Sequence, residues 1–99
     1  MEYRKVTSLT ESEIKEMVKF LFDVDNVVIL NRNEEEDTIF FGFETVWGED
    51  IVIEDTFEIS PYGIVDLDND YPLYPRHEEC IEKFLVAKGC HYLQKNNPF

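Results

Sequence analysis

From Thr38 to Ile59 apolar residues recur at every second position on either side of Gly48, and this pattern constrains the fold more than any other. Ile39, Phe41, Phe43 and Trp47 fall on one face of a first strand, and Ile51, Ile53, Phe57 and Ile59 on one face of a second. Two such runs pair antiparallel through a short turn. If the loop is the three residues Gly48-Glu49-Asp50, Trp47 lies opposite Ile51, Phe43 opposite Asp55, Phe41 opposite Phe57 and Ile39 opposite Ile59. Both apolar sets then share a face, which a two-residue turn would mismatch. The same register sets Glu44 opposite Glu54, Phe40 opposite Glu58 and Val46 opposite Val52 on the other face. Opposed like charges are unfavourable, so folding alone gives no reason for the Glu44/Glu54 pair.

The flanking segments read as helices and shorter strands. Leu9-Thr10-Glu11-Ser12-Glu13-Ile14 predicts a helix start, with Thr10 as N-cap, Glu13 as its capping-box partner and Leu9 stapled against Ile14. Ile14, Met17, Val18 and Leu21 continue it as an apolar stripe that fades near Asp23. Val27 to Leu30 is a β-branched run entering a turn at Asn31-Arg32-Asn33, followed by the acidic loop Glu34 to Asp37. Ser60-Pro61-Tyr62-Gly63 predicts a turn, Ile64 to Leu67 a further strand, and Pro75 to Lys88 a closing helix stopped by Gly89. Cys80, Ile81, Phe84 and Leu85 make that helix's apolar face. The expected fold is a single α+β domain over residues 1–99. It has an N-terminal helix, a three- to four-stranded antiparallel sheet and a C-terminal helix, with both helices on one sheet face and an open acidic face opposite.

Charge is segregated along this order. Twenty-two acids against nine Lys and Arg give a net charge of −13. Thirteen of the acids, and no Lys or Arg, lie between residues 33 and 75, so the remaining segments balance and the whole excess belongs to the sheet region. Such a chain is repelled by nucleic acid and by anionic lipid, and its partners should be cationic. At 43% apolar and 14% aromatic residues, the composition is that of a folding chain rather than a disordered acidic tail. No stretch approaches the ~20 apolar residues of a membrane span, and the first residues lack a signal peptide's apolar core, so a cytoplasmic location is expected. Two cysteines are too few for a disulfide framework and fit reduced thiols.

Candidate chemistry is sparse. Asp66, Asp68 and Asp70 alternate like calcium ligands, but an EF-hand loop wants Gly where Tyr71 stands and Glu where His77 stands, and Pro72 and Pro75 interrupt it. A solvated acidic turn explains the same residues. His77, Cys80, Cys90 and His91 fall within fifteen residues, yet Cys90 and His91 are adjacent and Cys80 lies on an apolar stripe. No Ser or Cys nucleophile has a recognisable His partner, and Gly42, Gly48, Gly63 and Gly89 are too scattered to cradle phosphate. The expectation is a protein without catalysis, metal or cofactor. Tyr62, Tyr71 and Tyr74 cluster with prolines after the hairpin, where they serve equally as interface anchors or as a cap on the core edge.

Taken together, the first helix Thr10 to Phe22, the acidic hairpin Thr38 to Ile59 and the closing helix Pro75 to Lys88 resemble small phage-encoded inhibitors, especially anti-CRISPR proteins that mimic DNA. No diagnostic motif is matched, and the likeness lies in architecture and acid placement. It implies steric occlusion of a nuclease's DNA-binding surface. The expected partner-binding residues are Glu34, Glu35, Glu36, Asp37, Glu44, Asp50, Glu54, Glu58, Asp66, Asp68, Asp70 and Tyr71. The alternatives are an immunity or antitoxin-like protein that plugs a toxin nuclease, and a general acidic interaction module.

Overall fold

A computed structural model describes the backbone of residues 2–67, 71–72 and 75–93, and the side chains of 2–67 and 78–93. The chain opens with a 3₁₀ turn, Val6–Ser8, then helix α1, Glu11–Phe22. The strands are β1, Val27–Asn33; β2, Thr38–Trp47; β3, Asp50–Ser60; β4, Gly63–Asp66; and the two-residue β5, Tyr71–Pro72. Helix α2, Pro75–Ala87, closes the order. The sheet is an antiparallel meander, β1-β2-β3-β4-β5. The expected α+β architecture is therefore present, as four strands with a short fifth between two helices.

Local chemistry sets the helix ends as the sequence indicates. The Thr10 hydroxyl accepts from the Glu13 N–H at 3.1 Å, and the Glu13 carboxylate accepts from the Thr10 N–H at 2.9 Å, a complete capping box. Asp23 ends α1 in the left-handed region at φ 56°, its N–H bonded to the Lys19 carbonyl. Helix α1 buries Ile14, Met17 and Val18, and α2 buries Ile81 and Leu85, all against the same sheet face. That face contributes Ile39, Phe41, Phe57, Ile59 and Ile64, with Phe41 stacked on Phe57 at 5.3 Å and Phe22 on Phe57 at 5.4 Å. Before α1, the Arg4 N–H donates to the Gly89 carbonyl, and the Arg32 guanidinium donates to the carbonyls of Thr7 and Leu9, fastening the first residues to α2's end and to β1.

The hairpin register differs from the expected one in its outer half. Ile39, Phe40 and Phe41 pair with Ile59, Glu58 and Phe57 as anticipated, but beyond Gly42 the partners shift by one residue. Phe43 then faces Glu54, Glu44 faces Ile53, Val46 faces Ile51 and Trp47 faces Asp50. Glu44 and Glu54 are therefore not opposed. The loop is the two residues Gly48-Glu49, with Gly48 at φ 65°, the positive value that the first position of a type II′ turn requires. Asp55, at φ 51°, is the extra residue of a bulge that restores the inner register. An Asp tolerates this left-handed backbone better than most residues.

Candidate functional site

The bulge and the neighbouring strands leave half of the hairpin on its own. Pairing of β1 with β2 ends at Val27 opposite Phe43, where the Glu44 N–H still reaches the Asn26 carbonyl at 2.8 Å and the Asn26 amide returns a bond to the Glu44 carbonyl. Pairing of β4 with β3 ends at Asp66 opposite Phe57, with one further bond from the Leu67 N–H to the Thr56 carbonyl. Among the described residues no other strand pairs with the segment beyond, and the hairpin continues as a two-stranded arm for roughly 14 Å at the strand rise of ~3.4 Å per residue. The molecule's longest dimension is 48 Å.

Strand alternation then assigns the arm's faces. Glu54, Val52 and Asp50 share the side of Phe43, Thr45 and Trp47, which is the side that carries the core farther down the sheet. On this side Trp47 Nε1 donates to Glu54 Oε1 at 3.0 Å. Glu44, Val46, Ile51 and Ile53 lie on the opposite face. Gly42 belongs there too, because a Cβ built on it would stand 2.6 Å from Ile53 Cγ2 and 3.5 Å from Leu30 Cδ1. Ile51 and Ile53, expected in the core, are thus on the uncovered face: the two-residue turn fixes their parity, and the Asp55 bulge switches it only farther along β3.

The uncovered face thus carries Ile51 and Ile53 where the expected register put Val52 and Glu54, and is more apolar than the expected open acidic face. Leu30, Val46, Ile51 and Ile53 are 44%, 66%, 65% and 42% exposed, and Trp47 on the other side is 64% exposed. Glu44 and Glu58 share the uncovered face, both half-buried, while Glu54 and Asp50 project from the reverse side and are exposed. Acids therefore surround the arm rather than tile one face.

Other expected contact residues lie elsewhere. Glu34, Glu35 and Glu36 are exposed in the β1–β2 turn, at the opposite end of β2 from Gly48 and thus roughly 30 Å from the arm's tip. Asp37 is half-buried, at φ 55°, and its Oδ1 accepts from the Thr7 N–H at 2.9 Å and the Thr7 hydroxyl at 3.1 Å, so it serves the fold. Asp66 is half-buried on β4 beside the arm's base. Asp68, Asp70 and Tyr74 fall outside the described residues, and of Tyr71 only the backbone, opposite Asp66, is described. Tyr62 is exposed. Trp47 and the exposed Val46 were missed as site residues because the assumed register counted Trp47 among the core positions. The Gly-X dipeptide at 48–49 was the signal for the correct turn.

Ion pairing separates the helical side from the sheet. Arg4, Lys15, Lys19, Lys83 and Lys88 all pair with carboxylates, namely Glu13, Glu11, Asp23, Asp25, Glu79 and Glu16. Every one of these acids belongs to α1, its C-terminal exit or α2. No ion pair among the described residues uses a carboxylate of residues 34–58.

No family model, curated protein or solved structure matches this chain. The soft-metal candidates separate: Cys90 is buried with its thiol pushed up in pKa by that burial, His91 stacks on Tyr3 at 3.4 Å, Cys80 is half-buried on α2, and the His77 side chain lies outside the described ones. Among the described residues no group of three or more His, Cys, Asp or Glu side chains is placed to hold a metal ion. No described helix is long and apolar enough to cross a membrane.

Proposed function

We propose that this chain is a non-catalytic binding protein that inserts its acidic hairpin arm into the basic nucleic-acid channel of a partner, such as a nuclease, and blocks it sterically. The observation that carries this reading is that, among the described residues, no ion pair reaches the arm's acids while Arg4, Lys19 and Lys88 of the helical side are paired. Carboxylates with no counter-charge among the described residues have the most to gain from a cationic surface.

Spacing supports it further. Glu44, Glu49, Asp50, Glu54 and Asp55 lie on an arm of roughly 14 Å, about one charge per 3 Å, which is close to the ~3.4 Å charge spacing along one strand of a DNA duplex. The arm is two strands wide with acids on both sides, a shape suited to a groove rather than to a flat surface. Displacement of counterions from such a channel makes binding steeply salt-dependent.

The test is recovery of partners from the source cell by the wild-type chain and by a Glu44→Lys/Asp50→Lys/Glu54→Lys variant, with identification by mass spectrometry. A nucleic-acid-binding protein should be retained by the wild type alone and be released by duplex DNA or by added salt. Equal retention by the variant, or retention indifferent to DNA, would overturn the proposal.

A further inference from the structure

The arm has a property that Coulomb attraction does not use: an open backbone edge. In a two-residue hairpin the residues flanking the turn bond to each other, so Trp47/Asp50, Thr45/Val52 and Phe43/Glu54 direct their backbone groups inward and the intervening residues direct theirs outward. The Glu44 N–H confirms this parity by pointing away from β3 to Asn26. By the same alternation, Ile51 and Ile53 turn their N–H and C=O groups away from β2, along an edge that no described strand covers.

Exposed apolar edges of this kind recruit another strand, and unguarded ones aggregate. Here the guard is charge. A second copy of this chain would bring a second set of five carboxylates, with no Lys or Arg between residues 33 and 75 to offset them, against the first. A strand bearing cations meets no such barrier.

The two faces further specify that strand. Along the β3 edge, Ile51 and Ile53 stand on one face, and Asp50 and Glu54 flank Val52 on the other. A strand added beside them presents its alternate residues to these two faces in turn. We infer that the arm binds its partner by strand addition at Ile51–Ile53, and that the segment added is an extended one with Lys or Arg alternating with apolar residues. The inference rests on the proposed function for the sign of the partner's charge, and adds the backbone pairing and the apolar contact.

The experiment uses the full chain and two capped synthetic peptides of equal length and charge, one alternating Lys with Val and the other Lys with Ser. Binding is followed by amide NMR and hydrogen exchange. The Lys/Val peptide should bind at least about tenfold tighter, a difference of about 1.4 kcal/mol, and should slow exchange of the Ile51 and Ile53 amides. An Ile51→Ser/Ile53→Ser variant, its integrity checked at the Phe41 and Ile59 amides, should bind both peptides alike. Equal affinity of the wild type for the two peptides, or unchanged exchange at Ile51 and Ile53, would overturn strand addition while leaving the acidic-channel reading standing. Strand pairing with the peptide, together with failure to retain any nucleic-acid-binding protein from cells, would uphold the pairing and remove the channel reading.

Discussion

Glu13 is held from two directions at once. Its carboxylate takes both Arg4 guanidinium nitrogens, at 2.5 and 2.8 Å, and closes the α1 cap through the Thr10 N–H. The Arg4 hydrogen bonds foremost, then the Thr10 backbone, lower its pKa from 4.5 to about 2. A carboxyl depressed in the folded state contributes stability that is fully present above its unfolded pKa and is lost as pH falls through the folded one. The contribution therefore stands at pH 7 and fades between about pH 4.5 and 2. Glu13→Gln should cost on the order of 1 kcal/mol at neutral pH in urea unfolding, since both partners are partly solvated. The gap between variant and parent should close as pH falls through that window; a constant gap would contradict the assignment.

At the scale of the element, β2 depends on having no side chain at Gly42. A methyl there would overlap Ile53 Cγ2, a β-branched atom with little freedom to retreat. Gly42→Ala should destabilise the chain by roughly 1 kcal/mol, despite the usual gain from removing glycine flexibility. In an Ile53→Ala background the same substitution should become neutral or stabilising, and a thermal-melt double-mutant cycle reads the difference. Helix α1 was fully legible in the sequence because its signals are local: Leu9, Thr10, Glu13 and Ile14 lie within a span of six residues. The hairpin was legible as an element and only half legible in register. The faces of Ile51, Ile53 and Glu54 hang on whether the loop is Gly48-Glu49 or one residue longer, and the Asp55 bulge hides that difference from anyone matching Phe41 to Phe57. The acids of the site were visible; which side of the strand each one occupies was not.

At the scale of the whole molecule, the ion pairs among the described residues gather on the helical side, and none reaches a carboxylate of residues 34–58. The net −13 thus acts as self-repulsion concentrated on the sheet, and added salt should relieve it. Raising NaCl from low to physiological ionic strength is expected to stabilise the chain on the order of 1 kcal/mol, or about 4–8 °C in Tm. A melting temperature that falls with salt would mean that the ion pairs of the helical side, such as Lys19 with Asp23 and Asp25, outweigh that repulsion.

Trp47 is the chain's single tryptophan, and it stands near the tip of the arm rather than in the core, tethered to Glu54. Its emission therefore reports on the arm alone. Thermal or chemical melts followed by fluorescence register fraying of a two-stranded ribbon, while the aromatic cluster of Phe22, Phe41, Phe43 and Phe57 stays optically silent beside it. Under the proposed function this fluorophore stands at the contact, so quenching or a blue shift gives a label-free readout of binding at the arm.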